Sequence, residues 1–205
     1  MAEHAHPDFA TKPVLSGERV LLRPFEPAGD LDALREMLRD PEVARMADGA
    51  PEEAPPPPWD EAAELRFRQW YDTRNGQTDR LDLAVVDRAT GCCVGEVVLN
   101  AWQPDHHSCN IRIALGPAGR NRGLGTEAMR LMTGHAFEQL GLHRLSLDVF
   151  AFNPRARRAY ENVGFVVEGV HRDALRDGDR WVDEILMSVL APEWERHRGH
   201  PRLVR

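Results

Sequence analysis

Short apolar runs that predict β-strands follow one another in the middle of the chain. They cover Leu81–Val86, Cys93–Leu99 and Asn110–Leu115. Turn-forming residues separate the runs (RATG after the first, QPDHHS after the second), and no stretch with helical spacing lies between them. Antiparallel strands can be joined by such short turns, whereas parallel strands need long crossovers. The pattern therefore predicts an antiparallel three-stranded meander.

Helical spacing and further strand-like runs flank the meander on both sides. Proline, glycine and capping residues mark the ends of most elements. In chain order the predicted elements are a strand over Arg19–Phe25, a helix from Asp30 to near Pro41, a proline-rich loop over Asp48–Trp59, a helix over Asp60–Tyr71, the meander, a helix over Gly123–Leu140, a strand over Leu145–Phe150, a helix over Pro154–Val163, and strands over Phe165–Val170 and Trp181–Val189. This order predicts an α+β fold in one domain over residues 16–192, with a flexible N-terminal tail (1–15) and a C-terminal tail (193–205).

The composition is that of an ordinary globular protein and argues against several classes of function. The 205 residues are 42% hydrophobic and 29% charged, which is enough chain to bury a core. No stretch reaches the roughly 18 apolar residues of a membrane span, and the start MAEHAHPDFATKP lacks the apolar centre of a secretory signal. The net charge of −7, without a basic stripe, argues against nucleic acid as a partner. Three cysteines are too few for a disulfide framework, so we expect a cytoplasmic protein without a membrane partner.

A glycine-containing loop before the longest predicted helix is the main candidate for a ligand site. The segment RNRGLGTEAMRL places Gly123 and Gly125 at the helix start, where backbone N–H groups and the helix dipole favour phosphate. No Gly-Lys-Ser/Thr follows, so the Walker loop of nucleotide-binding proteins is excluded. A dinucleotide-binding fingerprint fits Gly123, Gly125 and Ala128, with Asp148 as the ribose-binding acid. That alternative requires glycine directly at a strand end and helices between strands, and the sequence predicts neither.

Two motifs resemble those of the GNAT superfamily of N-acetyltransferases. Arg120-x-x-Gly123-x-Gly125 is similar to the family's Q/R-x-x-G-x-G/A motif, which binds the pyrophosphate of acetyl-coenzyme A (acetyl-CoA). The segment NPRARRAYENVGF resembles the second motif, an asparagine that opens a helix ending in Gly-Phe. The predicted order of elements also resembles that of the family, over Arg19–Leu190. Phrases such as HRLSLDVFAFNPRARRAYENVGF resemble the RimJ/RimL branch, whose members acetylate N-terminal α-amines of ribosomal proteins and other small amines.

The resemblance implies an αβα sandwich with a mixed, mostly antiparallel central sheet and helices on both faces. It also implies acetyl-CoA as the acetyl donor, bound by backbone N–H groups of the loop and the first helical turn, with Arg120 and Arg122 adding side-chain contacts. The coenzyme-binding residues implied in this way are Ile113, Leu115, Arg120, Asn121, Arg122, Gly123, Leu124, Gly125, Thr126 and Asn153. Asn153 also precedes Pro154, which makes it the predicted N-cap of its helix.

Acetyl transfer requires a neutral amine, a held thioester and a proton for the departing thiolate. The resemblance implies Tyr160, which follows Asn153 by seven residues, as the acid beside the coenzyme sulfur. The alternative is a tyrosine that only packs on the sheet. Enzymes of the RimL type often carry a serine at the position that Ala156 occupies here. Glu96 is the candidate general base and Asp183 the candidate ligand of the incoming ammonium, although each carboxylate can equally be paired with an arginine.

Metal binding is not expected, although the run DHHSC contains ligand-type side chains. Adjacent residues of a strand point to opposite faces, and no second ligand pair stands at zinc spacing, so a polar turn is favoured. Cys92 and Cys93 are expected to be small buried or edge residues.

The predicted function is acetyl transfer from acetyl-CoA to a primary amine of a protein N-terminus or a small molecule. A non-catalytic acyl-CoA-binding module and a dinucleotide-binding oxidoreductase stay as alternatives, and a homodimer stays open beside a monomer.

Overall fold

The computed structural model describes residues 7–50 and 58–198. Within these ranges the chain forms eight β-strands and six α-helices. The strands are β1 (Leu15–Ser16), β2 (Val20–Arg23), β3 (Leu81–Asp87), β4 (Cys93–Gln103), β5 (Ser108–Leu115), β6 (Arg144–Phe150), β7 (Val166–Asp177) and β8 (Arg180–Leu190). The helices are α1 (Pro27–Arg39), α2 (Pro41–Asp48), α3 (Glu61–Arg74), α4 (Leu124–Glu138), α5 (Pro154–Val163) and α6 (Ala191–His197). The predicted α+β class is confirmed.

The strands join one sheet in the order β1-β2-β3-β4-β5-β6-β8-β7. Neighbouring strands are antiparallel except β5 and β6, which run parallel. Strands β3, β4 and β5 form the predicted meander. A doubly wound sheet is mostly parallel, with helices between its strands. The observed sheet therefore excludes the dinucleotide-binding alternative.

Helices cover both faces of the sheet. On one face, Leu34 of α1 and Phe67 of α3 pack with apolar residues of β3 and β4. On the other face, Met129 and Met132 of α4 lie in a larger core that also includes Trp194 of α6. Because two helical layers enclose one sheet, the fold is the αβα sandwich that the resemblance implied. No helix in the described part of the chain combines the length and apolar character that crossing a membrane requires.

The sheet opens between its two parallel strands. β5 and β6 are in register only from the pair Ser108–Arg144 to the pair Asn110–Ser146. Beyond that point no ladder pair of described residues joins them, although β5 stays paired with β4 and β6 with β8. The facing edges of the two strands therefore present backbone N–H and C=O groups without strand partners. Such groups bind other partners, so the gap can accept an extended polar ligand.

Helix α1 begins earlier than predicted. Pro27 occupies its first turn, where its missing N–H costs nothing, so the helix starts ahead of Asp30. The Asp30 side chain is buried, and its carboxylate accepts hydrogen bonds from the Arg23 guanidinium at 2.7 and 2.8 Å. It also accepts one from the backbone N–H of Glu26 at 2.8 Å. Asp30 therefore stabilises the helix start from inside the first turn and links it to β2.

Helix α2 stands where the sequence predicts only the end of α1. Pro41, expected to end a helix, is the first residue of the next one. Asp40 provides the cap, because its carboxylate accepts hydrogen bonds from the N–H groups of Glu42 at 2.8 Å and Val43 at 3.2 Å. Gly49 ends α2 with a φ of 70°, which favours glycine. The predicted proline-rich loop lies mainly at residues 51–57, outside the described residues.

Both predicted tails make ordered contacts within the described residues. Phe9 is 2% exposed and joins the core on the α4 face. Lys12 donates hydrogen bonds to the carbonyl oxygens of Phe9 and Gln77 at 2.7 Å and of Arg80 at 2.8 Å. At the other end, α6 covers residues assigned to the C-terminal tail, and its Trp194 is buried. Ordered structure therefore extends on both sides of the predicted domain, residues 16–192.

Candidate active site

A cleft of about 490 Å³ opens where β5 and β6 part. The separated strands, the N-terminus of α4, helix α5 and helix α2 all contribute to its walls. The sequence-predicted residues that line it are Glu96, Ile113, Leu115, Arg120, Asn121, Gly123, Gly125, Thr126, Asn153 and Tyr160. Arg122, Leu124 and Asp183, also predicted, are not part of this lining. Most of the predicted site residues therefore surround one opening.

The N-terminus of α4 points its free backbone donors into this cleft. The first N–H groups of a helix have no intrahelical partner, and here no described side chain caps them. The N-cap Gly123 has a φ of 77° and the preceding Asn121 a φ of 58°, so the loop turns through left-handed backbone. A side chain at Gly125 would place its Cβ 3.1 Å from Leu115 Cδ1. Glycine thus permits a close, donor-rich surface that suits a phosphate group.

The two arginines of the glycine loop are engaged by carboxylates. The Arg120 guanidinium lies 2.7 Å from Glu42 and 3.0 Å from Asp40, and it also donates to the Leu115 carbonyl oxygen at 3.0 Å. Arg122 lies 2.7 Å from Asp87, outside the cleft. The expected side-chain contacts therefore need correction for Arg122, which lies outside the cleft, whereas Arg120 lines the cleft with its guanidinium already ion-paired. Arg120 connects the loop to α2, and Arg122 connects it to the end of β3.

Leu124 contributes to the fold rather than to the cleft surface. Its side chain is 1% exposed and lies in the core on the α4 face. Only its backbone, in the first turn of α4, belongs to the donor-rich loop. The predicted coenzyme contact of Leu124 is therefore restricted to its backbone N–H.

Helix α5 supplies cationic side chains that sequence reasoning did not single out. Arg155 and Arg158 both line the cleft. Arg155 is held by Glu42 at 2.6 Å, whereas Arg158 is exposed and makes no ion pair with any described residue. The run of arginines in NPRARRAYENV was the available signal, but which of them face the cleft depends on how α5 lies against α4. Arg158 is therefore a cleft-lining cation whose charge no described carboxylate neutralises.

Asn153 begins α5 at the edge of the cleft. It is 8% exposed, and its Oδ1 accepts a hydrogen bond from the N–H of Ala156 at 3.1 Å. Pro154 follows at the first helical position, so the predicted N-cap is confirmed. Ala156 itself lines the cleft one turn before Tyr160. Its methyl group occupies the position at which the resemblance places a serine in enzymes of the RimL type.

Tyr160 lines the cleft from the middle of α5. Its ring is partly buried against the core, with its centroid 6.2 Å from that of Phe165. Its hydroxyl makes no hydrogen bond to any described residue. Burial raises the pKa of Tyr160 to about 12, so the hydroxyl keeps its proton through the neutral range. The residue therefore combines a packed ring with an available donor at the cleft surface.

Glu96 approaches the same cleft from β4, on the face covered by α1 and α3. It is 6% exposed, and its Oε2 accepts a hydrogen bond of 2.9 Å from the hydroxyl of Tyr71 in α3. Arg112 Nη2 lies 3.7 Å from the other oxygen, Oε1. Burial raises the pKa of Glu96, and the hydrogen bond from Tyr71 and the charge of Arg112 oppose that rise. A carboxylate with a raised pKa is a better general base near neutral pH than an ordinary one.

Asp183 does not lie in the cleft. Its carboxylate accepts a hydrogen bond from the N–H of Asp173 at 2.9 Å, so it stabilises the irregular part of the β7–β8 hairpin. Its neighbour Glu184 lines the cleft instead, because adjacent residues of a strand face opposite sides. Asp148 of β6 lines the cleft beside it. Burial and the nearby Glu184 charge raise the pKa of Asp148, and His171 opposes the rise.

The described residues contain no cluster of three or more His, Cys, Asp or Glu side chains that could hold a metal ion. Cys93 and Cys109 are buried, and burial raises the pKa of each thiol to about 12. Cys92 is exposed. Because a thiolate is the reactive form of cysteine, neither buried thiol is a nucleophile at neutral pH.

Comparison with known proteins agrees with this geometry. A sequence profile described as "Acetyltransferase (GNAT) domain" matches residues 19–166. A putative ribosomal N-acetyltransferase (YdaF) of Bacillus subtilis is 29% identical over 105 residues, which are 51% of this chain and 57% of the relative. Spermidine N(1)-acetyltransferase of Vibrio cholerae is 29% identical over 110 residues, 54% of this chain and 64% of the relative. The chain thus spans less than two thirds of the length of these curated relatives.

Solved structures share the whole architecture. A GCN5-related N-acetyltransferase from Brucella melitensis superposes with a TM-score of 0.72 at 27% identity, covering 94% of this chain and 86% of its own. The matched profile covers the meander, the glycine loop, α4, β6 and α5, which are the elements that form the cleft. The chain belongs to the GNAT acetyltransferase family.

Proposed function

We propose that the chain transfers the acetyl group of acetyl-CoA directly to a primary amine. The observation that carries this proposal is the parting of β5 and β6 beside the uncapped N-terminus of α4. One cleft then contains anion-binding backbone donors, free strand edges, a protonated tyrosine and a buried carboxylate. Family membership gives independent support, because the family is named for acetyl transfer.

The coenzyme enters this proposal as an anionic, extended ligand. The pyrophosphate binds at the start of α4, where the backbone N–H groups and the helix dipole favour negative charge. Arg158, which also lines the cleft, supplies a cation for the phosphates. The pantetheine arm carries amides, which match backbone groups without strand partners at Ile113 and at the N–H of Leu115 on one edge, and those of β6 on the other. Its thiol end then reaches the region of Tyr160 and Asn153.

Two side chains carry the proton transfers. As the amine nitrogen bonds to the acetyl carbon, its proton passes to the Glu96 carboxylate. As the carbon–sulfur bond breaks, the electron pair stays on sulfur and Tyr160 donates its hydroxyl proton toward it. A thiol has a pKa of roughly 8.5, so a hydrogen-bond donor lowers the barrier to its departure. No covalent acyl-enzyme is required, because amine and thioester meet in one cleft.

The acceptor in this proposal is an amine that enters on the acidic side of the cleft. Asp148 and Glu184 line that side and provide negative charge for an ammonium group. We place the chain in the RimJ/RimL-like branch, on the strength of the sequence phrases around α5 and the similarity to the putative ribosomal enzyme of B. subtilis. The acceptor classes to test are accordingly a peptide α-amine, a polyamine and a free amino acid.

Two assays test the proposal in sequence. In thermal melts, acetyl-CoA and CoA should raise the Tm of the full chain and NAD should not, since only a ligand of the native state stabilises it. Thiol release is then measured with acetyl-CoA and each of the three amine classes. We expect amine-dependent release with at least one class. Stabilisation by acetyl-CoA without release for any amine would identify a binding module and refute the catalytic proposal.

A further inference from the structure

Tyr71 is a buried tyrosine that the sequence analysis identified only as the last residue of a predicted helix. It is 2% exposed, and its hydroxyl donates a hydrogen bond of 2.9 Å to Glu96 Oε2. Its ring makes edge contacts with Phe25 and Phe67, with centroids 5.0 and 5.1 Å apart. Aromatic neighbours on two sides prevent the ring from swinging away. The hydroxyl is therefore held in one place behind the carboxylate.

The two oxygens of Glu96 differ in their surroundings. Oε2 is bound by Tyr71, whose pKa is raised by burial and by the neighbouring Glu96 charge, so it stays a donor. Oε1 has Arg112 Nη2 at 3.7 Å, which is too long for a hydrogen bond. Arg112 lines the cleft, and its side chain is 55% exposed. Oε1 is thus the oxygen on the cleft side that retains its lone pairs.

We propose that Tyr71 is a positioning residue for acetyl transfer: it fixes Glu96 through Oε2 and leaves Oε1 as the atom that takes the proton from the amine. This inference rests on the proposed function, because it assigns a role within that reaction. Tyr71 itself contacts neither the amine nor the coenzyme in this assignment. Its effect passes through the orientation and the basicity of the Glu96 carboxylate.

Several titratable groups face Glu96 from the elements around it. They are Tyr71 and Arg74 on α3, Arg80 and Asp82 at β3, Cys93 on β4 and Arg112 on β5. Arg80 and Asp82 form a two-point ion pair with 2.7 Å contacts, so their charges largely cancel at Glu96. The Cys93 thiol stays neutral, since burial raises its pKa to about 12. Tyr71 is the one described group with a hydrogen bond to the Glu96 carboxylate.

The sign of the Tyr71 effect follows from which form it binds. A hydroxyl that donates to a carboxylate stabilises the charged form and therefore lowers its pKa. Burial acts in the opposite direction at Glu96. Removing the hydroxyl takes away the hydrogen bond at Oε2 that counteracts the effect of burial, so the pKa of Glu96 should rise further. At a given pH a smaller share of the protein then carries the base in its unprotonated form.

The test compares the wild type with Tyr71→Phe, which keeps the ring and its two aromatic contacts. The Glu96 carboxyl is titrated by NMR in protein labelled with carbon-13 in glutamate side chains, with Glu96→Gln identifying its signal. We expect the midpoint to move upward by about one pH unit, as for loss of one hydrogen bond to a charged group. The acid limb of kcat at saturating amine should move with it, while the Kd for acetyl-CoA stays unchanged.

Two further proteins keep this inference testable. Thr133→Val also deletes a buried hydroxyl, on α4, and should leave the Glu96 midpoint where it is. The chain has two tyrosines, so 3-fluorotyrosine incorporated into the Tyr160→Phe protein labels Tyr71 alone. The fluorinated phenol is a stronger donor, and the Glu96 midpoint should then fall. This protein also gives the answer if Tyr71→Phe does not fold.

The outcomes separate this inference from the proposed function. If the wild type acetylates an amine but the Glu96 midpoint and the acid limb stay fixed in Tyr71→Phe, Tyr71 is structural and the inference is overturned. An unmoved midpoint in the fluorotyrosine protein overturns it equally. If the wild type binds acetyl-CoA and acetylates no amine, the proposed function fails first and the assigned role of Tyr71 fails with it.

Discussion

Tyr160→Phe removes one hydroxyl from the cleft and retains the ring that packs near Phe165. The ring centroids of these two residues are 6.2 Å apart, and the hydroxyl makes no hydrogen bond to a described residue. No internal hydrogen bond of the described protein is therefore lost, and stability should be nearly unchanged. The acetyl-CoA Kd should also be unchanged, because the hydroxyl acts on the departing sulfur rather than on the bound ground state.

The expected loss is in turnover. General acid catalysis is typically worth about 10²- to 10⁴-fold, and water replaces part of it. Ala156 lines the cleft one turn before Tyr160 and offers no hydroxyl in compensation. We therefore expect kcat to fall by about 10²-fold or more. Because the pKa of Tyr160 is about 12, it stays protonated at lower pH, and the loss should be the same at neutral and at moderately alkaline pH.

The assay is thiol release at saturating acetyl-CoA and amine, with a rapid-mixing measurement to establish that chemistry limits the rate. Adding Ala156→Ser to the Tyr160→Phe protein supplies a hydroxyl on the same helix face and should restore part of kcat. Under rate-limiting chemistry, a fall of less than about threefold would refute the role of Tyr160 as the acid. A lowered Tm of the Tyr160→Phe protein together with an unchanged kcat would identify Tyr160 as a packing residue.

Four other substitutions test the glycine loop and helix α5 at the cleft. Gly125→Val brings a branched side chain against Leu115 and should weaken acetyl-CoA binding about tenfold or more in a folded protein. An unchanged Kd, measured by calorimetry, would contradict the assignment of the glycine loop to the coenzyme. Arg158→Gln should weaken binding and reduce its salt dependence, whereas Arg122→Gln should leave Kd unchanged, because Arg122 binds Asp87 outside the cleft. Asn153→Ala removes a helix cap and should lower stability by about 1 kcal/mol in chemical denaturation, and an unchanged midpoint would show that the cap is dispensable.

The sequence predicted the fold well where local pattern and capping agree. Apolar runs and the turn or capping residues at their ends predict the meander, α4, and α5 with its Asn153 cap. Tertiary contacts do not change these elements. The prediction from Pro41 was incomplete, because a proline that follows one helix can also occupy the first turn of the next helix. Here Pro41 begins α2, and Asp40 caps it. Helix α6 is short and has few apolar residues, so its order depends on burial of Trp194 against α4, which no local pattern indicates.

The site was predicted best where the residues of a motif themselves determine the backbone conformation. The glycines of the α4 loop line the cleft as expected, whereas the partners of Arg120 come from α2, an element the sequence did not predict. Glu184 rather than Asp183 lines the cleft, because the β6–β8 register places Glu184 opposite Phe150 and adjacent residues of a strand face opposite sides; no local pattern in β8 indicates this pairing. Tyr71 meets Glu96 only through the packing of α3 on the sheet, a contact between residues far apart in sequence.

The most direct test of the central claim is a single-turnover reaction with acetyl-CoA labelled with carbon-13 in the acetyl group. The full chain, loaded with this donor, is mixed with each acceptor class and analysed by mass spectrometry of both small molecules and protein. We predict that the label moves to an amine, leaves free CoA, and never appears on the protein, including its three cysteines. Label that stays on the coenzyme with every amine, or that accumulates on the protein, would contradict direct transfer in this cleft.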